Sequence, residues 1–140
     1  MAMNTSFFRT SPIALTLLLL TPSMPYATEG GTHAPSAKVI QLNASGKDYL
    51  PVLAGPPESV KMKSGLVVLA PGKSVGEHST EQNEELLVVF EGQGEMTFKD
   101  GSKLPVKANS AIYCPPQTEH NVTNTGNDNL RYVYVVSNAR

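Results

Sequence analysis

Residue types that can bind metal ions occur in two separate stretches of this chain. The first stretch, Gly72 to Gly94, contains His78 and Glu85, and the second, Asn109 to Asn124, contains His120. His78 and Glu85 are seven residues apart, which is roughly 23 Å on one continuous strand at about 3.3 Å per residue. The chain must therefore reverse between them before both can hold one metal ion.

The residues between His78 and Glu85 predict this reversal. Ser79 to Glu84 is a run of small and polar side chains, which is typical of a turn, and Leu86 to Phe90 is a strongly apolar strand. The pattern predicts a hairpin that brings His78 and Glu85 together on adjacent strands. At that distance an imidazole and a carboxylate can share one metal ion.

Length and composition indicate a single globular domain. The chain has 140 residues, a net charge of −1 and 40% hydrophobic residues. Its Lys and Arg residues are scattered rather than striped along one face, so nucleic-acid binding is not expected. Eleven Gly and eleven Pro residues lie between short apolar runs, a composition that predicts many turns and few helices.

The amino terminus has the pattern of a signal peptide over residues 1–27. Arg9 precedes an apolar core from Ile13 to Leu20, and a small-residue context follows, with cleavage expected after Ala27. The apolar core is much shorter than the roughly 20 residues that span a bilayer, so no stable membrane anchor is expected. The protein is predicted to be periplasmic or secreted. Residues 28–37 are predicted to be a flexible lead before a folded domain at residues 38–140.

Short apolar runs separated by turn residues continue from Lys38 to the end of the chain, without a helical period. Asp100 and Gly101 predict a tight hairpin turn, because this pair tolerates the positive backbone angles that such a turn needs. The pattern predicts an all-β domain of eight to ten strands that closes on itself or forms two sheets. The predicted strands are Val39 to Leu42, Tyr49 to Leu53, Val60 to Met62, Leu66 to Ala70, Leu86 to Phe90, Glu95 to Phe98, Leu104 to Val106, Ala111 to Cys114, Asn121 to Asn124 and Leu130 to Val136.

Two spaced motifs in these stretches resemble those of the cupins. The first consists of Gly72, His78, Thr80, Glu85 and Gly92, and the second of Asn109, Pro115, Gln117, His120 and Asn124. The resemblance extends over about 90 residues, Val39 to Val136. It implies a small double-stranded β-helix, or jelly-roll barrel, of the cupin type over residues 38–140.

The resemblance also implies a metal site formed by His78, Glu85 and His120. The spacing selects Glu85 rather than Glu84, because only Glu85 puts Gly92 at the end of the first motif. Two histidines and a carboxylate with open positions favour Fe(II) that binds oxygen. The same set also suits Zn with one water, and Mn, Ni and Cu remain alternatives.

Thr80 is the position at which this chain departs from the cupin pattern, since a second histidine is usual there. A neutral hydroxyl is a weak ligand, so two interpretations stay open. Either three protein ligands leave an extra position for water or substrate, or the affinity for metal has decayed. In both cases Thr80 is expected to line the pocket.

The remaining pocket-lining residues are predicted from strand alternation. Leu87 and Val89 alternate to the same face as Glu85, inside the barrel and beneath the metal. Cys114, the single cysteine, lies on a strand that is expected to face the interior. It is interpreted either as a small buried side chain or as a thiol near the metal.

The function predicted from these residues is an exported cupin that binds one divalent metal and acts on a small organic molecule, as a dioxygenase-like oxidoreductase or as an isomerase or lyase. The alternative is a non-catalytic module that binds or senses a small ligand, sugar-like or an organic acid. A third interpretation is a structural scaffold. Apolar residues on both faces of Leu86 to Phe90 and Leu130 to Val136 predict a homodimer, and Tyr132 and Tyr134 are interpreted as core or dimer contacts.

Overall fold

The fold is all β, as predicted. A computed structural model describes residues 34–140, and within this range the chain forms nine strands and no helix, so no helix there could cross a membrane. The strands are β1 (Tyr49–Leu53), β2 (Met62–Leu69), β3 (His78–Ser79), β4 (Asn83–Glu91), β5 (Gln93–Phe98), β6 (Lys103–Lys107), β7 (Ser110–Cys114), β8 (Glu119–Asn124) and β9 (Leu130–Asn138). The predicted signal peptide lies outside the described residues.

The nine strands form two antiparallel sheets. The larger sheet has the order β1-β2-β9-β4-β7, and the smaller has the order β3-β8-β5-β6. Their inner faces enclose the hydrophobic core, and along β4, β7 and β8 every second side chain is buried. The buried core residues are Val67, Leu69, Leu87, Val89, Met96, Val106, Ile112, Cys114, Val122, Leu130 and Tyr132.

The predicted hairpin between His78 and Glu85 is wrong. β3 and β4 lie in different sheets, and β3 pairs with β8, where His78 is directly opposite His120. β4 has no free edge for β3, because it already pairs with β7 on one side and β9 on the other. His78 and Glu85 therefore approach each other across the space between the two sheets.

Two further predictions about strands need correction. Val39 to Leu42 forms no strand, and Val39 is 87% exposed. Val60 to Met62 and Leu66 to Ala70 are not separate strands, since β2 runs without a break from Met62 to Leu69. Gly65 within β2 continues the strand instead of ending it.

The hairpin predicted at Asp100 and Gly101 is confirmed. β5 pairs with β6 on either side of this turn, and Gly101 has a positive φ of 82°. The Asp100 carboxylate accepts hydrogen bonds from the Ser102 backbone N–H (2.9 Å) and hydroxyl (2.6 Å). The local residue chemistry is therefore sufficient to fix this turn.

Candidate metal centre

The structure brings His78, Glu85 and His120 together. Each residue offers one ligand atom, and these atoms all lie within 4.8 Å of one another. The two histidines face each other on β3 and β8, with ring centroids 4.3 Å apart and ring planes at 58°. Glu85 comes from β4 in the facing sheet. The group thus joins the two sheets at one point.

Both imidazoles are oriented through their Nδ1 atoms. Nδ1 of His78 lies 3.0 Å from the carbonyl oxygen of Gly76, and Nδ1 of His120 lies 3.3 Å from that of Thr118. A carbonyl oxygen only accepts hydrogen bonds, so each neutral ring carries its proton on Nδ1. Both Nε2 atoms then have a lone pair available for a metal ion.

The Nε2 atom of His120 is a buried polar atom without a hydrogen bond. It lies 3.3 Å from Oε2 of Glu85, and the two side chains are only 1% and 8% exposed. This is the distance of an ion pair, but the direction is not that of a hydrogen bond. Among residues 34–140 it is the one fully buried side-chain nitrogen or oxygen atom that has no partner. A divalent ion would satisfy this atom, so the three residues fit a metal.

The electrostatics of His120 combine two opposing effects. Burial lowers the pKa of the ring, but Glu85 and the carbonyl of Thr118 together outweigh burial, so the pKa lies above its ordinary value of 6.5. Without a metal, the proton therefore stays on His120 to a higher pH than on a free histidine. Metal binding has to displace this proton, because only the deprotonated Nε2 is a ligand.

Thr80 is buried, and its hydroxyl is engaged by the backbone. The hydroxyl donates to the carbonyl of Pro115 at 2.8 Å and accepts from the backbone N–H of Thr118 at 2.9 Å. The backbone N–H of Thr80 also donates to the carbonyl of Thr118. Thr80 therefore holds the turn that precedes His120 and positions that candidate ligand.

A cavity of about 420 Å³ lies between the sheets and is lined by all three candidate ligands. Of the predicted lining residues, Thr80 and Leu87 are in its wall, whereas Val89 and Cys114 belong to the hydrophobic core. A second cavity, of about 530 Å³, contacts both histidines from the side of Lys99 and Glu119 but not Glu85. The first cavity is the better candidate site, because it reaches the complete ligand group.

Cys114 lies opposite Glu85 in the pairing of β4 with β7. Its side chain is fully buried, and Sγ lies 3.5 Å from Sδ of Met96. Burial, and after it the charge on Glu85, raises the pKa of the thiol to about 11. A protonated thiol packed against a thioether is a poor metal ligand, so the interpretation as a small buried side chain is favoured.

Three tyrosines in the cavity wall were not predicted from the sequence as lining residues. Tyr49, Tyr132 and Tyr134 all line the cavity. Tyr132 is also a core residue, as interpreted from the sequence, while the hydroxyls of Tyr49 and Tyr134 lie 2.9 Å apart. Gly65 was a signal for this arrangement, since a glycine inside an apolar strand often marks a close approach by another group.

The chain is similar in sequence to a known protein family and to several known proteins. Residues 65–136 match the family described as Cupin domain. The chain is 32% identical over 73 residues to the polyketide synthase CurC of Streptomyces cyaneus, covering 52% of this chain and 47% of that protein. It is 35% identical over 69 residues to an oxalate-binding protein of Thermotoga maritima, covering 49% and 55%. The chain spans about half the length of these relatives.

Solved structures show the same fold. A cupin 2 conserved barrel domain protein from Salinispora arenicola aligns with a TM-score of 0.63 at 23% identity, covering 74% of this chain and 91% of that one. A predicted oxalate decarboxylase from Thermotoga maritima aligns with a TM-score of 0.53 at 20% identity, covering 71% and 99%. The family match spans more than half of the chain, and the chain therefore belongs to the cupins.

Proposed function

We propose that this cupin binds one divalent metal ion through His78, Glu85 and His120 and acts on a small organic molecule in the adjoining cavity. The observation that carries the proposal is the buried Nε2 of His120, which has no hydrogen-bond partner among the described residues. The other two ligand atoms lie within 4.8 Å of it. A buried imidazole nitrogen left in this state is costly unless an ion or a ligand binds it.

Iron(II) is the favoured ion, and a dioxygenase-like oxidation is the favoured reaction. Two histidines and one carboxylate leave several coordination positions open, which is the arrangement that suits non-haem iron. When bound, the metal would supply Lewis acidity and reactivity towards oxygen. Glu85 provides one negative charge, which partly balances the ion.

The residues of the chain itself prepare the site. The carbonyls of Gly76 and Thr118 fix both imidazole rings, and Thr80 holds the turn before His120. The cavity wall beside the ligands is largely apolar, with Leu87 and Val122 among its residues. Apolar side chains beside the ligands lower the local dielectric constant and so strengthen the electrostatic interactions there.

A non-catalytic binding module is the second candidate function. The relative that favours it is the oxalate-binding protein of Thermotoga maritima, which is 35% identical over 69 residues. In this alternative the metal would anchor a small organic acid without turnover. The two candidates share the metal site and differ only in whether product forms.

Metal content tests the shared part of the proposal. Purified protein is loaded anaerobically with iron(II) and, separately, with zinc, and the bound metal is measured by elemental analysis. We expect about one ion per chain in the wild type and a loss of affinity of at least about tenfold in Glu85→Gln. Glu84→Gln is the matched control, because Glu84 is exposed and bonds Tyr113 instead. Equal metal content in the two variants would contradict the site.

Oxygen consumption separates the enzyme from the binding module. The iron-loaded protein is assayed with a panel of thiols, diketones and phenols. Turnover that disappears in His120→Ala supports the oxidoreductase, whereas tight ligand binding without product supports the binding module. Isomerase or lyase activity would appear as product without oxygen consumption.

Export is a further part of the proposal, and it rests on the signal pattern of residues 1–27. Amino-terminal sequencing of the protein recovered from the periplasm or medium of a bacterial host tests it. Thr28 is the expected first residue. Leu18→Arg, which interrupts the apolar core of the leader, is expected to keep the protein inside the cell. A wild-type chain that retains Met1 inside the cell would contradict export.

A homodimer is proposed from the outer face of the larger sheet. Leu86 and Phe90 on β4 are 41% and 39% exposed, and Tyr113 on β7 is 57% exposed. Leu86 and Tyr113 are direct cross-strand neighbours, so these apolar side chains form a continuous surface. Light scattering of the wild type and of Leu86→Asp is the test. A wild-type monomer at micromolar concentration would contradict the dimer.

A further inference from the structure

We propose that Tyr49 and Tyr134 form a hydroxyl pair that positions a singly charged oxygen-donor ligand, such as a monocarboxylate or an enolate, in the cavity shared with the metal ligands. This inference rests on the proposed function, because the ion contributes to the charge balance. It adds the class of ligand and the residues that hold it.

One of the two phenol hydrogens is not used in the hydrogen bond between the tyrosines. The phenol oxygens lie 2.9 Å apart, and the rings are stacked at 6.4 Å with an interplanar angle of 15°. Each phenol carries one hydrogen, so the bond between them uses one and leaves the other. The structure shows no second protein partner for either hydroxyl among residues 34–140. The remaining hydrogen is therefore available to a ligand oxygen.

Gly65 makes room for the pair. A Cβ atom at this position would lie 2.6 Å from Cε2 of Tyr49 and 2.8 Å from Cε1 of Tyr134. Both contacts are far inside van der Waals distance, and both involve rigid rings. The strand β2 thus has no side chain at the point where the two rings meet. The pair depends on this glycine.

The register of the larger sheet sets Tyr134 beside the metal ligands. Glu85 is opposite Val136 and Leu87 is opposite Tyr134 in the pairing of β4 with β9. Tyr134 is therefore a diagonal neighbour of Glu85 on the inner face, at roughly 7 to 8 Å between backbones. One small ligand can span from the metal ligands to the Tyr134 hydroxyl.

The charges of the residues that line the cavity favour a singly charged ligand. Among the described residues that line it, Glu85 is the single carboxylate, and there is no Lys or Arg. A divalent ion with Glu85 leaves one positive charge, which a singly charged ligand neutralises. A dianion would leave an uncompensated negative charge in a largely apolar space. The lining residues Val67, Val75 and Val136 suit an apolar body on the ligand.

Calorimetric binding to the full zinc-loaded chain at pH 7.5 tests the inference, because zinc avoids oxidation. The probes are hexanoate, which is singly charged, and succinate, a dianion with the same number of non-hydrogen atoms. Monomethyl succinate isolates the effect of charge. We expect hexanoate and monomethyl succinate to bind at least about tenfold more tightly than succinate.

Phenylalanine variants test the hydroxyl pair without removing a ring. Because either phenol alone still offers one hydrogen, both hydroxyls are removed together: the double variant Tyr49→Phe with Tyr134→Phe is expected to weaken hexanoate binding about three- to tenfold, the effect of one lost hydrogen bond. Its zinc affinity should be unchanged. Tyr113→Phe is the matched control, because its hydroxyl bonds the exposed Glu84 outside the cavity. Tyr113→Phe should bind hexanoate as the wild type does.

The outcomes separate this inference from the proposed function. Equal hexanoate affinity in the double phenylalanine variant and the wild type would overturn the inference while the metal site stands. So would absent hexanoate binding, or succinate binding as tight as monomethyl succinate. A wild-type protein that takes up no zinc and no iron(II) would overturn the proposed function, and this inference with it.

Discussion

The two halves of the candidate metal centre are built differently. Glu85 and His120 are buried, and each lies on a strand that is paired on both edges. His78 is exposed and lies on β3, a strand of two residues at the edge of the smaller sheet. Glu85 and His120, the inner half, are held by strand pairing on both sides and by the core. His78, the outer half, lies on a strand that pairs only with β8. Two of the three candidate ligands are therefore held in place by the fold, and the third can adjust.

Removing the inner histidine is expected to have the largest effect on stability. His120→Ala takes the ion-pair partner from buried Glu85 and should cost about 3 kcal/mol or more in the metal-free protein. Because the folded pKa of His120 is raised, this contribution is fully present below the ordinary pKa of 6.5 and is lost as pH rises through the folded pKa. Urea unfolding at pH 6 is therefore the suitable measurement.

His78→Ala is the matched variant in the outer half. His78 is exposed, so its loss should change the free energy of unfolding by no more than about 0.5 kcal/mol. Both variants should lose affinity for metal, while only His120→Ala should lose stability. Equal destabilisation by the two variants would contradict the division into halves.

The next effect on stability is expected at Cys114, which lies opposite Glu85 in the pairing of β4 with β7. Its pKa of about 11 exceeds the ordinary value of 9.0, so the unfolded thiol ionises first as pH rises. The folded state then binds more protons, and stability should fall between pH 9 and pH 11 by up to roughly 3 kcal/mol. Thermal unfolding of the wild type and Cys114→Ala should show a shallower decline in the variant. Rapid alkylation of Cys114 in the folded protein at pH 8 would contradict the raised pKa.

A smaller effect is expected at Thr80, which directly follows β3 and bonds the turn that precedes His120. Thr80→Val keeps the shape of the side chain but removes the hydroxyl that bonds Pro115 and Thr118. The loss should destabilise the protein by about 1 to 3 kcal/mol and weaken metal binding through His120. Ser79→Ala, a half-buried neighbour, is the control. Unchanged metal affinity in Thr80→Val would show that the turn does not position His120.

The smallest effect is expected at the rim. Lys99 and Glu119 form a salt bridge of 2.8 Å in which both side chains are largely exposed, at 76% and 48%. Exposed pairs of this kind contribute little to stability, because water and salt screen the two charges. Lys99→Ala should therefore leave both unfolding and metal binding nearly unchanged. A large loss of metal affinity in this variant would mean that the rim belongs to the site.

Local patterns in the sequence were sufficient for most of the strands and for the inward-facing residues of β4. Alternation from Glu84 to Phe90 correctly separates buried Glu85, Leu87 and Val89 from their more exposed neighbours. The turn at Asp100 is likewise determined by adjacent residues. These features depend on contacts within a few positions of the chain, so one sequence contains the necessary information.

Long-range pairing could not be read in the same way. His78 finds its partner at His120, and Tyr49 finds Tyr134, through contacts between residues far apart in the chain. Whether β4 has a free edge depends on β7 and β9, which no local pattern around His78 reveals. The predicted hairpin failed for this reason. The resemblance to the cupin motifs selected three residues that the fold brings within 4.8 Å of one another, which the local pattern around His78 could not do.

X-ray absorption of the iron(II)-loaded protein tests the central claim most directly. The outer-shell scattering of the wild type is expected to require two imidazole rings, while His78→Ala and His120→Ala should each require one. Glu84→Gln should give the spectrum of the wild type. An iron site whose scattering still requires two imidazoles after either histidine is removed would contradict the proposed metal centre.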